Sequence, residues 1–280
     1  MSICWFNGQY LPASEWSLTS SNRAFRYGDG LFETIKVGYG KPLFFHQYYI
    51  RFIEGLTYLR IDIPEEWSML FLQKKIEELV QQNKLPNARV RMTCWRSGKG
   101  WYAPESHLPD LLIEVFPLSD HFFQLNTEGV RAGIWKEGIR FAHAGSFFKS
   151  ANAEAYVLAS IDAATRQVDD MLLTNQHGRI ADALYSNVFI WSGDKLMTPP
   201  VAEGCIDGVM RRVLIKYARR WGLTVEETRL EIDQLLQADE VMLTNSLQGI
   251  RWVAELESST YSNKIASMLL SKLNELLPTS

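Results

Sequence analysis

Apolar residues recur along the chain at two spacings, and these mark its elements. The first residues alternate as a strand, turn at Asn7-Gly8 and resume over Gln9 to Leu11, the short-range signature of a hairpin. Leu31 to Val37 is rich in β-branched and aromatic residues and reads as a strand. Gly38 to Pro42 breaks it, and Leu43 to Phe45 returns. Tyr49, Phe52, Leu56 and Leu59 then share one helical face, with Arg51 beside that stripe, and Met69, Leu72, Ile76, Leu79 and Val80 share another after Pro64. Val90, Met92 and Cys94 alternate with Arg89, Arg91 and Thr93, and Asp110 to Phe116 reads as a further strand.

The periodicity lapses between Pro117 and Gln124, where Pro, Ser and Asp punctuate a polar stretch of linker length. This predicts a small N-terminal domain over 1–117, a linker over 118–124 and a larger C-terminal domain over 125–280. The second part offers a strand at Val130 to Trp135, a helix from about Ala151 to Arg166, and strands at Met171 to Thr174 and Asn187 to Trp191. A helix starts at Gly208 with an apolar stripe of Met210, Val213, Leu214, Tyr217, Ala218 and Trp221, and a last one spans about Asn263 to Leu277. The fold class is α/β in the broad sense, with α+β character. Val168 to Asn175 echoes Ala238 to Asn245, too short a likeness for a repeat architecture.

Composition narrows the function. The chain has 280 residues, 46% hydrophobic, with 29 Lys plus Arg against 32 Asp plus Glu, a net charge of −3. Without a Lys/Arg cluster it lacks the electrostatic footprint of a nucleic-acid or anionic-membrane binder, so a small-molecule substrate is expected. Cys4, Cys94 and Cys205 are too scattered for a disulfide framework or a CxxC site, and five dispersed histidines form no metal motif. No apolar run approaches the roughly 18 residues needed to span a bilayer, and no signal peptide is recognisable. A cytoplasmic protein without a metal is the expectation.

The segment with most chemical content is Ile206-Asp207-Gly208-Val209-Met210-Arg211. It opens a helix with glycine in its first turn, so free backbone N–H groups and the positive end of the helix dipole are presented together and can hold a phosphate. The same run also serves as a plain loop-to-helix junction.

Its context carries a resemblance. The order Asp182, Asn187-Val188-Phe189, Thr198-Pro199-Pro200 and Gly208-Val209-Met210-Arg211 resembles the signature of the class IV pyridoxal-phosphate (PLP) aminotransferases, the group of branched-chain and D-amino-acid aminotransferases and aminodeoxychorismate lyase. Asn22 to Thr34 (NRAFRYGDGLFET) is similar to that family's DR-x-x-x-x-GDG-x-FET segment, and His46 to Arg51 to its H-x-x-R element.

The resemblance implies pyridoxal 5'-phosphate as cofactor and a two-domain fold of type IV. It further implies a small N-terminal α/β domain, a larger β-barrel-like C-terminal domain with helices, PLP at the domain interface and a homodimer. Lys149 would be the Schiff-base lysine. An amine in that role must be neutral near pH 7, and burial or nearby positive charge moves a lysine that way. Arg51, the backbone N–H groups of Val209 and Met210, and the Ser246 hydroxyl would bind the phosphate, and Asp182 the pyridine nitrogen. Relatives generally place Glu there, one methylene longer. Arg96, on the Gly-containing loop Trp95 to Pro104, would face the substrate carboxylate or remain a solvated loop charge. Phe32 and Tyr27 would wall the pocket or fill the core of the small domain. Asn245, Leu247 and Met210 resemble the lyase branch, which releases 4-aminobenzoate and pyruvate, more than the transaminases, whereas Phe32-Glu33-Thr34 is common to the latter. A catalytically silent PLP- or metabolite-binding protein is the remaining reading.

Overall fold

The computed structural model describes residues 2–278; Met1 and the last two positions of the expected C-terminal domain lie outside the described residues. The chain divides into two compact units, residues 2–122 with Phe148–Asn152 and Pro278, and Phe123–Phe147 with Ala153–Leu277.

In the first unit β1 (Ile3–Phe6) and β2 (Gln9–Pro12) form the hairpin, with Asn7 and Gly8 at φ 43° and 94°. A short helix α1 (Arg23–Tyr27) precedes β3 (Gly30–Gly38), β4 (Lys41–Pro42), α2 (Phe45–Tyr58), α3 (Met69–Gln82), β5 (Ala88–Arg96) and β6 (Pro109–Pro117). The strands pair antiparallel in the order β2-β1-β6-β5-β3-β4. Alternation along β3 sends Leu31, Glu33 and Ile35 to one face and Phe32, Thr34 and Lys36 to the other. α2 covers the Leu31 face so closely that a Cβ on Gly55 would meet Leu31 Cδ2 at 2.5 Å. Phe52, Leu56, Leu72, Ile76, Leu79, Ile35, Val90 and Met92 are fully buried there.

Three expectations change here. Leu43 to Phe45 is not a strand, because Phe44 takes the left-handed conformation (φ 54°) and turns the chain into α2. Tyr48, not Tyr49, joins Phe52 and Leu56 on the buried face of that helix, and Arg51 lies within the buried face instead of beside it. The helix expected from Ala151 starts later, because Lys149–Ala151 pair with β3: Phe32 N–H donates to Lys149 O at 2.9 Å and Ala151 N–H to Gly30 O at 3.0 Å. This pairing places Lys149 in the first unit, whereas the sequence reading put it in the second domain.

The second unit comprises β7 (Val130–Trp135), α4 (Glu154–Arg166), β8 (Asp170–Thr174), β9 (Ile180–Ala183), β10 (Asn187–Ser192), β11 (Lys195–Thr198), α5 (Val209–Arg220), β12 (Thr224–Glu227), α6 (Ile232–Leu236), β13 (Glu240–Asn245), β14 (Gly249–Leu256), β15 (Ser259–Thr260) and α7 (Lys264–Asn274). Its nine-stranded sheet runs β12-β11-β10-β13-β14-β7-β8-β9, with β15 on β14. The pairs β7/β8 and β11/β12 are parallel and are joined through α4 and α5, as parallel neighbours require. One face gathers Val130, Ala132, Ile134, Val188, Ile190, Val241, Leu243 and Val253 into a core; the other packs Trp135, Met171 and Leu173 on Ala159 and Ala163 of α4. Among the described residues no helix is long and apolar enough to cross a membrane.

Candidate functional site

Each unit carries its own group of polar residues placed by the elements above. In the first, Glu33 points from β3 into the helix-covered face and meets Arg51 from α2. Arg51 Nε donates to Glu33 Oε1 at 2.8 Å and Nη2 to Oε2, with only 2% and 1% of the two residues exposed. This two-point pairing fixes the plane of the guanidinium. On the opposite face of β3, Phe32 lies under the Lys149 ammonium, 4.9 Å from the ring centroid. Lys149 is half-buried, held in place by its backbone pairing with β3.

Arg96 requires a correction. It is the last residue of β5, not part of the following loop, and it is buried. Its Nε donates to Asp29 Oδ2 at 3.0 Å, Nη1 to Arg60 O at 2.8 Å and Nη2 to Leu59 O at 2.5 Å. The guanidinium therefore closes the carbonyl end of α2. Asp29 also binds Arg23 Nε at 2.7 Å, and Arg23 Nη1 reaches Trp101 O at 2.6 Å, so one carboxylate organises the loop that follows β5. Tyr27 packs against Tyr102 of that loop, ring centroids 5.6 Å apart.

In the second unit Asp182, on β9, is buried and accepts hydrogen bonds from Ile206 N–H at 3.0 Å, Asn187 Nδ2 at 3.1 Å and the Tyr156 hydroxyl at 3.1 Å. Burial first and the charge of Asp182 second push the Tyr156 phenol well above its usual range, so it stays a donor. Asn187 Nδ2 also donates to Ile206 O at 2.6 Å. Its Oδ1 lies where a Cβ on Gly208 would approach to 2.0 Å, so only glycine permits this packing. Gly208 is the N-cap of α5 and no side chain caps that helix, which leaves the N–H groups of Val209 and Met210 without a side-chain acceptor. The Val209 and Met210 side chains are buried.

α5 packs on β13, whose end carries Ser246 in the turn to β14. Asn245 Oδ1 accepts from Leu247 N–H at 3.0 Å and Gln248 N–H at 2.9 Å, which shapes that turn. The Thr244 hydroxyl, two positions before Ser246, is buried and has no hydrogen-bond partner among the described residues. The polar groups of this unit fit a phosphorylated pyridine: a buried carboxylate to accept from a ring N–H, and an uncapped helix end to donate to a phosphate. Sequence reading missed Tyr156 and Glu33 as supporting residues. Asn187 belonged to the recognised pattern, but its link to Gly208 had no sequence signal.

The sequence profile of the class IV amino-transferases matches residues 30–256. Aminodeoxychorismate lyase of Bacillus subtilis is 28% identical over 94% of this chain and 89% of its own length, and that of Vibrio harveyi is 26% identical over 93% of each. The crystal structure of branched-chain amino acid aminotransferase from Escherichia coli superposes with a TM-score of 0.89 at 20% identity, covering 98% of this chain and 94% of the other. The fold is that of the type IV enzymes, with mixed helices and strands and a curled half-barrel sheet. Profile, fold and residue set agree that the chain belongs to the class IV aminotransferases, a family that uses PLP.

Proposed function

We propose that the protein is a PLP-dependent aminodeoxychorismate lyase, forming 4-aminobenzoate and pyruvate from aminodeoxychorismate. The observation that carries this reading is the similarity to two lyases along almost the whole chain. Asn245 and Leu247 support it, since they occupy the turn where the transaminases favour a Gly-Thr-Ala run.

When bound, PLP supplies an electron sink that stabilises the carbanion left when a proton leaves the substrate Cα. The protein's part is positioning and proton transfer. The Lys149 amine would hold the cofactor and would take the proton from the substrate Cα as general base. Asp182, oriented by Tyr156, Asn187 and Ile206, would keep the pyridine nitrogen protonated. These donors hold the carboxylate in one orientation. The Val209 and Met210 N–H groups and the Ser246 hydroxyl would bind the phosphate, as would Arg51, oriented by Glu33. Phe32 walls the ring side beside Lys149. The working molecule is a homodimer in this proposal.

The purified protein should absorb in the visible, and Lys149→Ala should lose that band. Aminodeoxychorismate should release pyruvate in multiple turnovers. An amino-acid donor alone should neither bleach the band nor release an equivalent of 2-oxo acid. Bleaching with stoichiometric 2-oxo acid would instead identify a branched-chain or D-amino-acid transaminase. A colourless protein that ignores added PLP would remove the cofactor reading altogether.

A further inference from the structure

Lys149 sits on a very short stretch of ladder. Residues 149–151 run antiparallel to the start of β3, held by the Phe32 N–H to Lys149 O bond at 2.9 Å and the Ala151 N–H to Gly30 O bond at 3.0 Å. Two bonds over three residues leave the ends of such a ladder free to fray. The residues on either side of it supply the missing restraint.

On one side Phe148 is buried, its ring centroid 5.4 Å from that of Tyr58, and a Cβ on Gly55 of α2 would meet the Phe148 Cβ at 3.2 Å. On the other side Asn152 reaches past the start of β3 to the turn that closes α1. Its Nδ2 donates to Gly28 O at 3.3 Å, and its backbone N–H donates to Ser150 Oγ at 3.1 Å. Its Oδ1 lies where a Cβ on Gly28 would approach to 2.5 Å, and Gly28 is in the left-handed conformation at φ 58°.

Gly28 is itself a fixed point. Its N–H donates to Ala24 O at 3.0 Å, and its carbonyl also accepts from Gly30 N–H at 2.8 Å. Between the two glycines Asp29 is held through its carboxylate by Arg23 and Arg96, and Arg96 N–H donates to Asp29 O at 3.0 Å. The two arginines anchor the turn, and Asn152 fastens the lysine-bearing stretch to it. Asn152 is exposed, so removing its side chain empties no core.

We propose that Asn152 is a positioning residue for Lys149: latched onto Gly28, it keeps residues 149–151 in register on β3 and so keeps the amine where it can bond the cofactor. This inference rests on the reading of Lys149 as the Schiff-base lysine. Asn152 acts only through the backbone that it holds.

The test compares PLP with pyridoxamine phosphate, which has an amine in place of the aldehyde and therefore forms no bond with a lysine. Equilibrium dialysis would measure both affinities for wild type, Asn152→Ala, Gly28→Ala and the double variant. Asn152→Ala should lose roughly threefold to tenfold in affinity for PLP, the size of one hydrogen bond, and keep the wild-type affinity for pyridoxamine phosphate. Its visible band should also form more slowly after PLP is added to the apoprotein. Gly28→Ala should show the same selective loss, because its Cβ displaces the Asn152 side chain. Adding Asn152→Ala to Gly28→Ala should then cost nothing further, as expected of two residues that act through one contact. Equal losses for both ligands in Asn152→Ala, or an unchanged affinity for PLP, would overturn the assignment. A wild type that binds pyridoxamine phosphate but gives no visible band with PLP would overturn the Lys149 reading, and this inference with it.

Discussion

At the scale of single residues, the buried carboxylate of Asp182 organises its surroundings through charge. It raises the pKa of two neighbours, the Tyr156 phenol and the Cys205 thiol, although burial is the larger cause for each. Cys205 moves from 9.0 to about 12. A group whose folded pKa lies above its unfolded value keeps its proton in the native state after the unfolded chain has lost it. Its stabilising contribution is therefore complete below pH 9 and declines as pH rises toward 12. By pH 10.5 this one thiol should have removed about 2 kcal/mol of stability. Urea unfolding at pH 7.5 and pH 10.5 would show it: wild type should lose about 2 kcal/mol more between the two conditions than Cys205→Ala. Equal losses would mean that the thiol does not titrate in this window. The thiol's reactivity is low for the same reason, since the thiolate is the nucleophile.

At the scale of elements, the start of α5 shows how a helix end is built by a distant strand. Asn187, at the head of β10, holds Asp182 and Ile206 and leaves no room for a side chain at Gly208. Gly208→Ala would have to displace Asn187, so it should cost about 2 kcal/mol by overpacking. It should also weaken PLP retention, measured by equilibrium dialysis. An alanine variant that retains both PLP and melting temperature would show that Asn187 moves freely. Nothing in a single sequence reveals this contact, because the spacing of Asn187 and Gly208 carries no period.

Other parts were legible for physical reasons. The helical stripes of α3 and α5 and the alternation of β3 and β5 follow directly from burial on one face. The short strands β9, β11 and β12 were not, because a few residues give too few repeats to show a period. The echo of Val168–Asn175 and Ala238–Asn245 turns out to mark β8 and β13, each opening with a buried acid. The partners differ: Asp170 meets Arg251, whereas Glu240 accepts from Ile265 N–H at 2.8 Å and Ala266 N–H at 3.0 Å at the start of α7. Similar letters thus reflect a shared need to satisfy an acid beneath an apolar run. Arg51 and Arg96 were misplaced relative to their surroundings because the acids that pair with them, Glu33 and Asp29, lie far away in the chain.

At the scale of the whole molecule, α4 poses a question that one chain leaves open. Its inner face buries Ala159 and Ala163, yet its outer face exposes Val157, Leu158 and Ile161 by 56%, 48% and 59%. A helix on a monomer's surface ordinarily turns polar residues outward, and adjacent exposed aliphatic residues mark contact surfaces. The proposed homodimer would supply the occupant, a second copy of the same chain. A two-fold contact would bury each such row against its equivalent or against its neighbours. Light scattering should therefore give about twice the 32.1 kDa of one chain. Leu158→Glu with Ile161→Glu should shift the mass toward a single chain, because charged groups desolvated at an interface cost several kcal/mol. Far-ultraviolet circular dichroism should be unchanged, since both side chains already face water in the isolated chain. A wild type of 32.1 kDa at micromolar concentration would refute the dimer. A dimer indifferent to both substitutions would place its interface away from α4.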